Sequence, residues 1–178
     1  MDLNRILINF AELELLISSV ALVLLLAFKV RRSSFYVIVS LSLALSFVHQ
    51  DFTESILVLS AMDSCSIAYT NIVFDCNVAG KHVWYLFFAI TDFAFVIFCI
   101  LFCNKYKLEQ NQFGNYILMI FILLGFVQLL RWLDRLVFDL NLLGGFYSIA
   151  IPTLNTVMAV TLIVGVVITI YKKWRTME

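Results

Sequence analysis

The chain has 178 residues, 63% of them hydrophobic and 13% charged, with a mean hydropathy of +1.00. Soluble domains carry about 25% charged residues, so this composition marks an integral membrane protein with almost no sequence left for a soluble domain. Lysine plus arginine balances aspartate plus glutamate at 12 each, and no extended basic patch interleaved with aromatics lies outside the apolar runs, which argues against nucleic acid as a partner.

The first apolar run covers residues 6–28, long enough at ~1.5 Å per residue to cross a ~30 Å hydrocarbon core. It is read as a retained helix rather than a cleavable signal. Glu12 and Glu14 interrupt it, and Lys29, Arg31 and Arg32 close it without a small-residue cleavage site. A second span, 35–61, carries His49, Gln50, Asp51 and Glu54 in its later half. Residues 62–82 are polar, contain Cys65 and Cys76, and read as an exposed outer loop, with or without a short helix.

The third span, 83–103, is rich in phenylalanine and holds one charge, Asp92. A short polar linker leads to the fourth, 115–139. That span ends in Gln128-Leu-Leu-Arg-Trp-Leu-Asp-Arg-Leu-Val-Phe-Asp139, with two arginines and two aspartates at membrane depth. At about 100° per residue, Gln128, Arg131, Arg135 and Asp139 share one face and Asp134 lies on its shoulder. Gly144-Gly145 marks a turn. The fifth span, 146–171, holds Pro152 in or near its first turns and ends in Lys172, Lys173 and Arg175.

The expectation is therefore an all-α integral membrane protein, one domain of five transmembrane helices. Eight of the twelve basic residues fall in three clusters, at Lys29/Arg31/Arg32, Lys105/Lys107 and Lys172/Lys173/Arg175. All three lie on one side if the N-terminus is outside, so the positive-inside rule gives N-outside and C-inside, in an inner or plasma membrane. With that orientation the polar residues of every span sit in the outer half of the bundle.

A charged stripe at membrane depth is costly unless it faces protein, a polar cavity or the interface. The candidate cluster comprises Arg131 and Arg135 as cations, Glu12, Glu54, Asp92 and Asp134 as counter-charges, and His49 and Gln128 beside them. Arginine suits the role because its planar fork takes carboxylates two-handed and stays protonated. The plainer alternative is that such pairs only lock helix register, or that helix-end charges snorkel to the interface. Trp84, Trp132 and Trp174 read as interface anchors or packing residues.

Cys65 and Cys76 share the outer loop and are expected to form a disulfide in an oxidising exterior, two free thiols being the alternative. Cys99 and Cys103 lie near the inner end of the third span and read as reduced packing residues. No Cys-x-x-Cys, phosphate loop, serine elbow or His-x-x-x-His is present. His49 and His82 lie at depths that do not suit a shared haem. No metal, cofactor or enzymatic activity is expected.

The leading functional expectation is a small polytopic protein acting by association, as a subunit or partner-binding component of a membrane complex. Its partners would be the lipid bilayer and other membrane subunits or further copies of itself. The alternatives are a small channel or carrier with an outward-facing polar vestibule, or a membrane sensor of an extracytoplasmic ligand.

Overall fold

A computed structural model describes residues 3–28, 30, 33–60, 65–66 and 73–175; side chains are described from residue 15 onward, except at 60, 65, 66, 73 and 74. Helix α1 spans Leu3–Ala27, α2 Ser34–Ser60, α3 Cys76–Lys105, α4 Gln112–Trp132 and α5 Gly144–Arg175. A short π-helical turn, Leu133–Val137, continues α4. Two-residue strands β1 (Cys65–Ser66) and β2 (Val73–Phe74) pair antiparallel between α2 and α3.

Four of the helical segments are long and apolar enough to cross a membrane, and α1 contributes the shorter apolar stretch Leu15–Ala27. The protein is thus a helical membrane bundle of about five helices. Each helix packs on its neighbours in sequence, α5 closes back onto α1, and α2 touches α4 across the middle. The ring makes α4 the most enclosed member. Half of its apolar window is buried, against 22–28% for the other three spanning segments.

Two helix starts are set by side-chain caps. Asp75 is extended and its carboxylate accepts from the backbone N–H groups of Asn77 and Val78, so α3 begins at Cys76. This corrects the expected outer loop of 62–82, whose last seven residues are helical. Asn77, Lys81 and His82 are polar enough to resemble loop, but a good cap and an apolar continuation carry the helix through them. Asn111 caps α4 in the same way, accepting from Phe113 N–H at 2.9 Å.

One further boundary differs from the sequence reading. The fourth helix stops at Val137, not at Asp139, which is exposed with φ 51°. Pro152 lies in the early turns of α5, eight residues after Gly144. Proline removes one backbone donor, and a membrane helix tolerates that when nearby hydroxyls engage the carbonyls of the same turns. Thr153 and Thr156 donate to the carbonyls of Ile149 and Pro152, both at 2.8 Å.

The core lies where α2, α4 and α5 meet, around Phe35, Ile38, Ile117, Leu162 and Val166. Close approach there depends on Gly165. A Cβ at that position would fall 2.6 Å from Phe35 Cζ and 2.9 Å from Phe113 Cβ. The same end of the bundle is tied by polar bonds. Ser34 N–H donates to Glu109 O at 2.9 Å, Asn111 N–H to Ser34 Oγ at 3.0 Å, and Asn111 Nδ2 to Thr169 Oγ1 at 3.2 Å. The α1–α2 junction, the α3–α4 linker and the last turns of α5 therefore meet at one end.

Candidate functional site

The opposite end of the bundle is organised by Arg131 and Asp134. Both side chains are at most 8% exposed, and Arg131 Nη1 lies 2.6 Å from Asp134 Oδ2. The aspartate does more than neutralise the arginine. Its Oδ1 accepts Leu142 N–H at 2.9 Å and its Oδ2 accepts Leu143 N–H at 3.0 Å, while its main-chain oxygen accepts Leu140 N–H at 2.9 Å. One residue thus gathers the whole turn between α4 and α5. Its negative charge also faces the positive end of the α5 macrodipole.

Arg131 completes the clasp from the other side. Its Nη2 donates to Asn141 Oδ1 at 2.7 Å. Asn141 has φ 53°, a left-handed conformation that asparagine adopts more readily than most residues. Gly144 lies beside it; a Cβ there would come 3.3 Å from Arg131 Nη2. The π turn allows this arrangement. Its wider i→i+5 closure, Phe138 N–H to Leu133 O at 2.9 Å, adjusts the end of α4 so that Asp134 turns toward the incoming α5.

A second polar chain runs beside the clasp. Tyr147 on α5 donates to Gln128 Oε1 at 3.0 Å, and its ring meets Tyr85 of α3 edge-on at 5.7 Å between centroids. Tyr85 Oη accepts from Arg135 Nη1 at 3.3 Å. Next to it Trp132 Nε1–H donates to His82 Nδ1 at 3.0 Å, which leaves the His82 proton on Nε2. Trp132 is therefore a hydrogen-bonded link between α3 and α4 as well as a packing residue.

The remaining candidates separate from this centre. His49 Nε2 lies 2.8 Å from Thr91 Oγ1, whose own proton is directed at the Phe87 carbonyl at 2.8 Å. The histidine consequently donates through Nε2, and its ring packs edge-on against Phe88 at 4.6 Å. His82 sits nine residues before Thr91 on α3, an axial offset of ~13 Å, so the two histidines are not placed to share one metal. Among the described residues no group of three or more His, Cys, Asp or Glu side chains gathers around a point.

Two expected counter-charges do not serve the arginines. Glu54 is exposed on α2 and pairs with neither. Asp92 is buried on α3 and engaged, but not with Arg131 or Arg135. Among the described residues Arg135 meets the Tyr85 hydroxyl rather than a carboxylate; the chain leaves the helix before Asp139 can stand one turn away. Glu12 and Cys65 have side chains outside the described residues. Cys76 is buried at the start of α3, and Cys99 and Cys103 are free thiols.

The sequence reading did not single out Asn141, Tyr85, Tyr147 or the His82–Trp132 bond. A usable signal existed for Asn141, since an asparagine between two apolar helices, shortly before a Gly-Gly pair, is suited to a left-handed acceptor position. The two tyrosines carried no signal, because their roles depend on which helices are neighbours.

Comparison of the chain with protein-family models, with curated proteins and with solved structures found no match.

Proposed function

We propose that this protein acts by association within a membrane, as a subunit or partner-binding component of a larger complex, and that it is not an enzyme. One observation carries the reading. Polar side chains of the bundle pair with one another at five contacts: Arg131 with Asp134 and Asn141, Gln128 with Tyr147, His49 with Thr91, and Trp132 with His82. That pattern favours a self-consistent scaffold over a vestibule, where polar groups would line a path toward water or a solute. The outward faces offer apolar contact. On α3, Ile90, Ile97 and Leu101 are each at least 58% exposed and lie on one face, with the small Ala94 among them, a pattern suited to lipid or to another helix.

The orientation N-outside and C-inside, in an inner or plasma membrane, belongs to the same proposal. It is supported by the bonds joining the α1–α2 junction, the α3–α4 linker and the end of α5, which gather segments carrying the basic clusters. The Cys65–Cys76 disulfide also remains a proposal. The β1–β2 ladder sets Cys65 opposite Phe74, two residues before Cys76.

Extraction in a mild detergent followed by mass measurement of the intact assembly tests the central reading. A stoichiometric unlike protein supports it. A homo-oligomer that conducts ions in liposomes would instead establish the channel.

A further inference from the structure

The basic end of the bundle has a property that the positive-inside pattern alone does not require. Positive charges that direct topology can be scattered on independent tails. Here the segments that carry them are fastened together. Asn111 is the fastener: its N–H donates to Ser34 Oγ, its Nδ2 to Thr169 Oγ1, and its Oδ1 accepts Phe113 N–H. Lys107 lies four residues before Asn111, and Lys172 three residues after Thr169. The end of α3 adds Lys105, whose ammonium stands 5.8 Å over the Tyr106 ring.

Lys107 is held in a left-handed conformation, φ 48°, by a tight turn in which its N–H donates to Asn104 O and Leu108 N–H to Cys103 O. Lys105, Lys107, Lys172 and Arg175 are all exposed. Glu109 is the acidic residue of the intervening linker, so cations outnumber anions on this surface. Acidic side chains gather at the other end, where Asp51, Glu54, Asp75 and Asp139 are exposed. Tyr106, Tyr171 and Trp174, each 57% exposed, stand among the basic residues. Amphipathic aromatics favour the headgroup level of a bilayer, which gives this surface its depth.

We propose that Lys105, Lys107, Lys172 and Arg175 form one docking surface for the phosphates of anionic phospholipid headgroups, assembled by the Asn111 fastener. Ammonium and guanidinium donors at headgroup depth, on two segments tied through Asn111 and Thr169, match a phosphate-bearing ligand that arrives with acyl chains.

The test uses the full chain in detergent and native mass spectrometry with dioleoyl phosphatidylglycerol or dioleoyl phosphatidylcholine, lipids of equal chains and different headgroup charge. The wild type should retain the anionic lipid preferentially, and the preference should fall with added salt. Neutralising one basic residue near a headgroup should weaken binding about fivefold. Lys105→Gln/Lys107→Gln and Lys172→Gln/Arg175→Gln should each remove most of the preference, and Asn111→Leu should weaken it with every charge intact. Arg135→Gln, at the far end, should not change it. Unchanged helical melting of the variants assigns the loss to binding, and the wild-type salt titration tests the proposal should a variant not fold. Equal retention of the two lipids overturns it. So does loss of the preference in Arg135→Gln alone, or displacement of the lipid by inorganic phosphate at matched concentration, which would make the occupant a soluble anion.

Discussion

Removing the two partners of the buried ion pair should have unequal consequences, and the inequality follows from what each leaves behind. Arg131→Ala takes away one cation and the Asn141 contact, yet Asp134 keeps two backbone donors, Leu142 N–H and Leu143 N–H, and the positive end of α5. The stranded carboxylate remains partly solvated by protein. Asp134→Ala removes the acceptor from both N–H groups and leaves the Arg131 guanidinium, 8% exposed, without its counter-charge.

Breaking a buried pair costs about 3–5 kcal/mol when one charge is left uncompensated, and an orphaned buried donor adds about 1–3 kcal/mol. Some of that is recovered because the turn lies at the bundle end, where water can reach released N–H groups. Asp134→Ala is therefore expected to cost about 4–5 kcal/mol and Arg131→Ala about 2–3 kcal/mol. Asp134→Asn keeps an acceptor without the charge and should fall below Asp134→Ala. The Arg131→Ala/Asp134→Ala double variant should cost clearly less than the sum of the singles, because neither charge is then stranded. Equilibrium unfolding in mixed micelles of a mild detergent and dodecyl sulfate, followed by loss of helical circular dichroism, measures these differences. Equal, additive losses of under about 1 kcal/mol would refute the reasoning, since they are what a solvated surface pair gives.

Three further outcomes are expected. Gly165→Leu should destabilise the bundle by about 1–3 kcal/mol or more through overpacking, and Phe35→Leu in the same chain should restore part of the loss, as read by the same unfolding assay. Gln128→Leu and Tyr147→Phe should each cost about 1 kcal/mol and be non-additive, because they remove the two ends of one hydrogen bond. Peptide mass analysis under non-reducing conditions should recover Cys65 linked to Cys76 and leave Cys99 and Cys103 alkylatable; two reactive thiols at 65 and 76 in fresh membranes would dispose of the disulfide.

Much of the architecture is written in local composition. An apolar run of sufficient length can satisfy its backbone in a bilayer only as a helix, so the spans of α2 to α5 could be located from hydropathy alone, and the polar stretches between them as turns. Arg131 and Asp134 could likewise be paired in advance, because residues three apart on a helix are neighbours whatever surrounds them.

What the tertiary structure decided lies wherever the partner is remote or the helix departs from regularity. The π turn stops the helix before Asp139, so Arg135 turns to Tyr85 of α3, a residue fifty positions away. A wheel drawn with a constant angle per residue cannot show that. Glu54 stands at a suitable position along α2 but is exposed, since shared depth does not establish that two helices present facing sides. The α4–α5 clasp depends on Asn141 and on two main-chain N–H groups, which carry no sequence signature as ligands of a carboxylate. Chain composition determines which segments enter the membrane because lipid acts on each segment separately. Which polar groups then meet is settled only by the order and rotation of the helices around the ring.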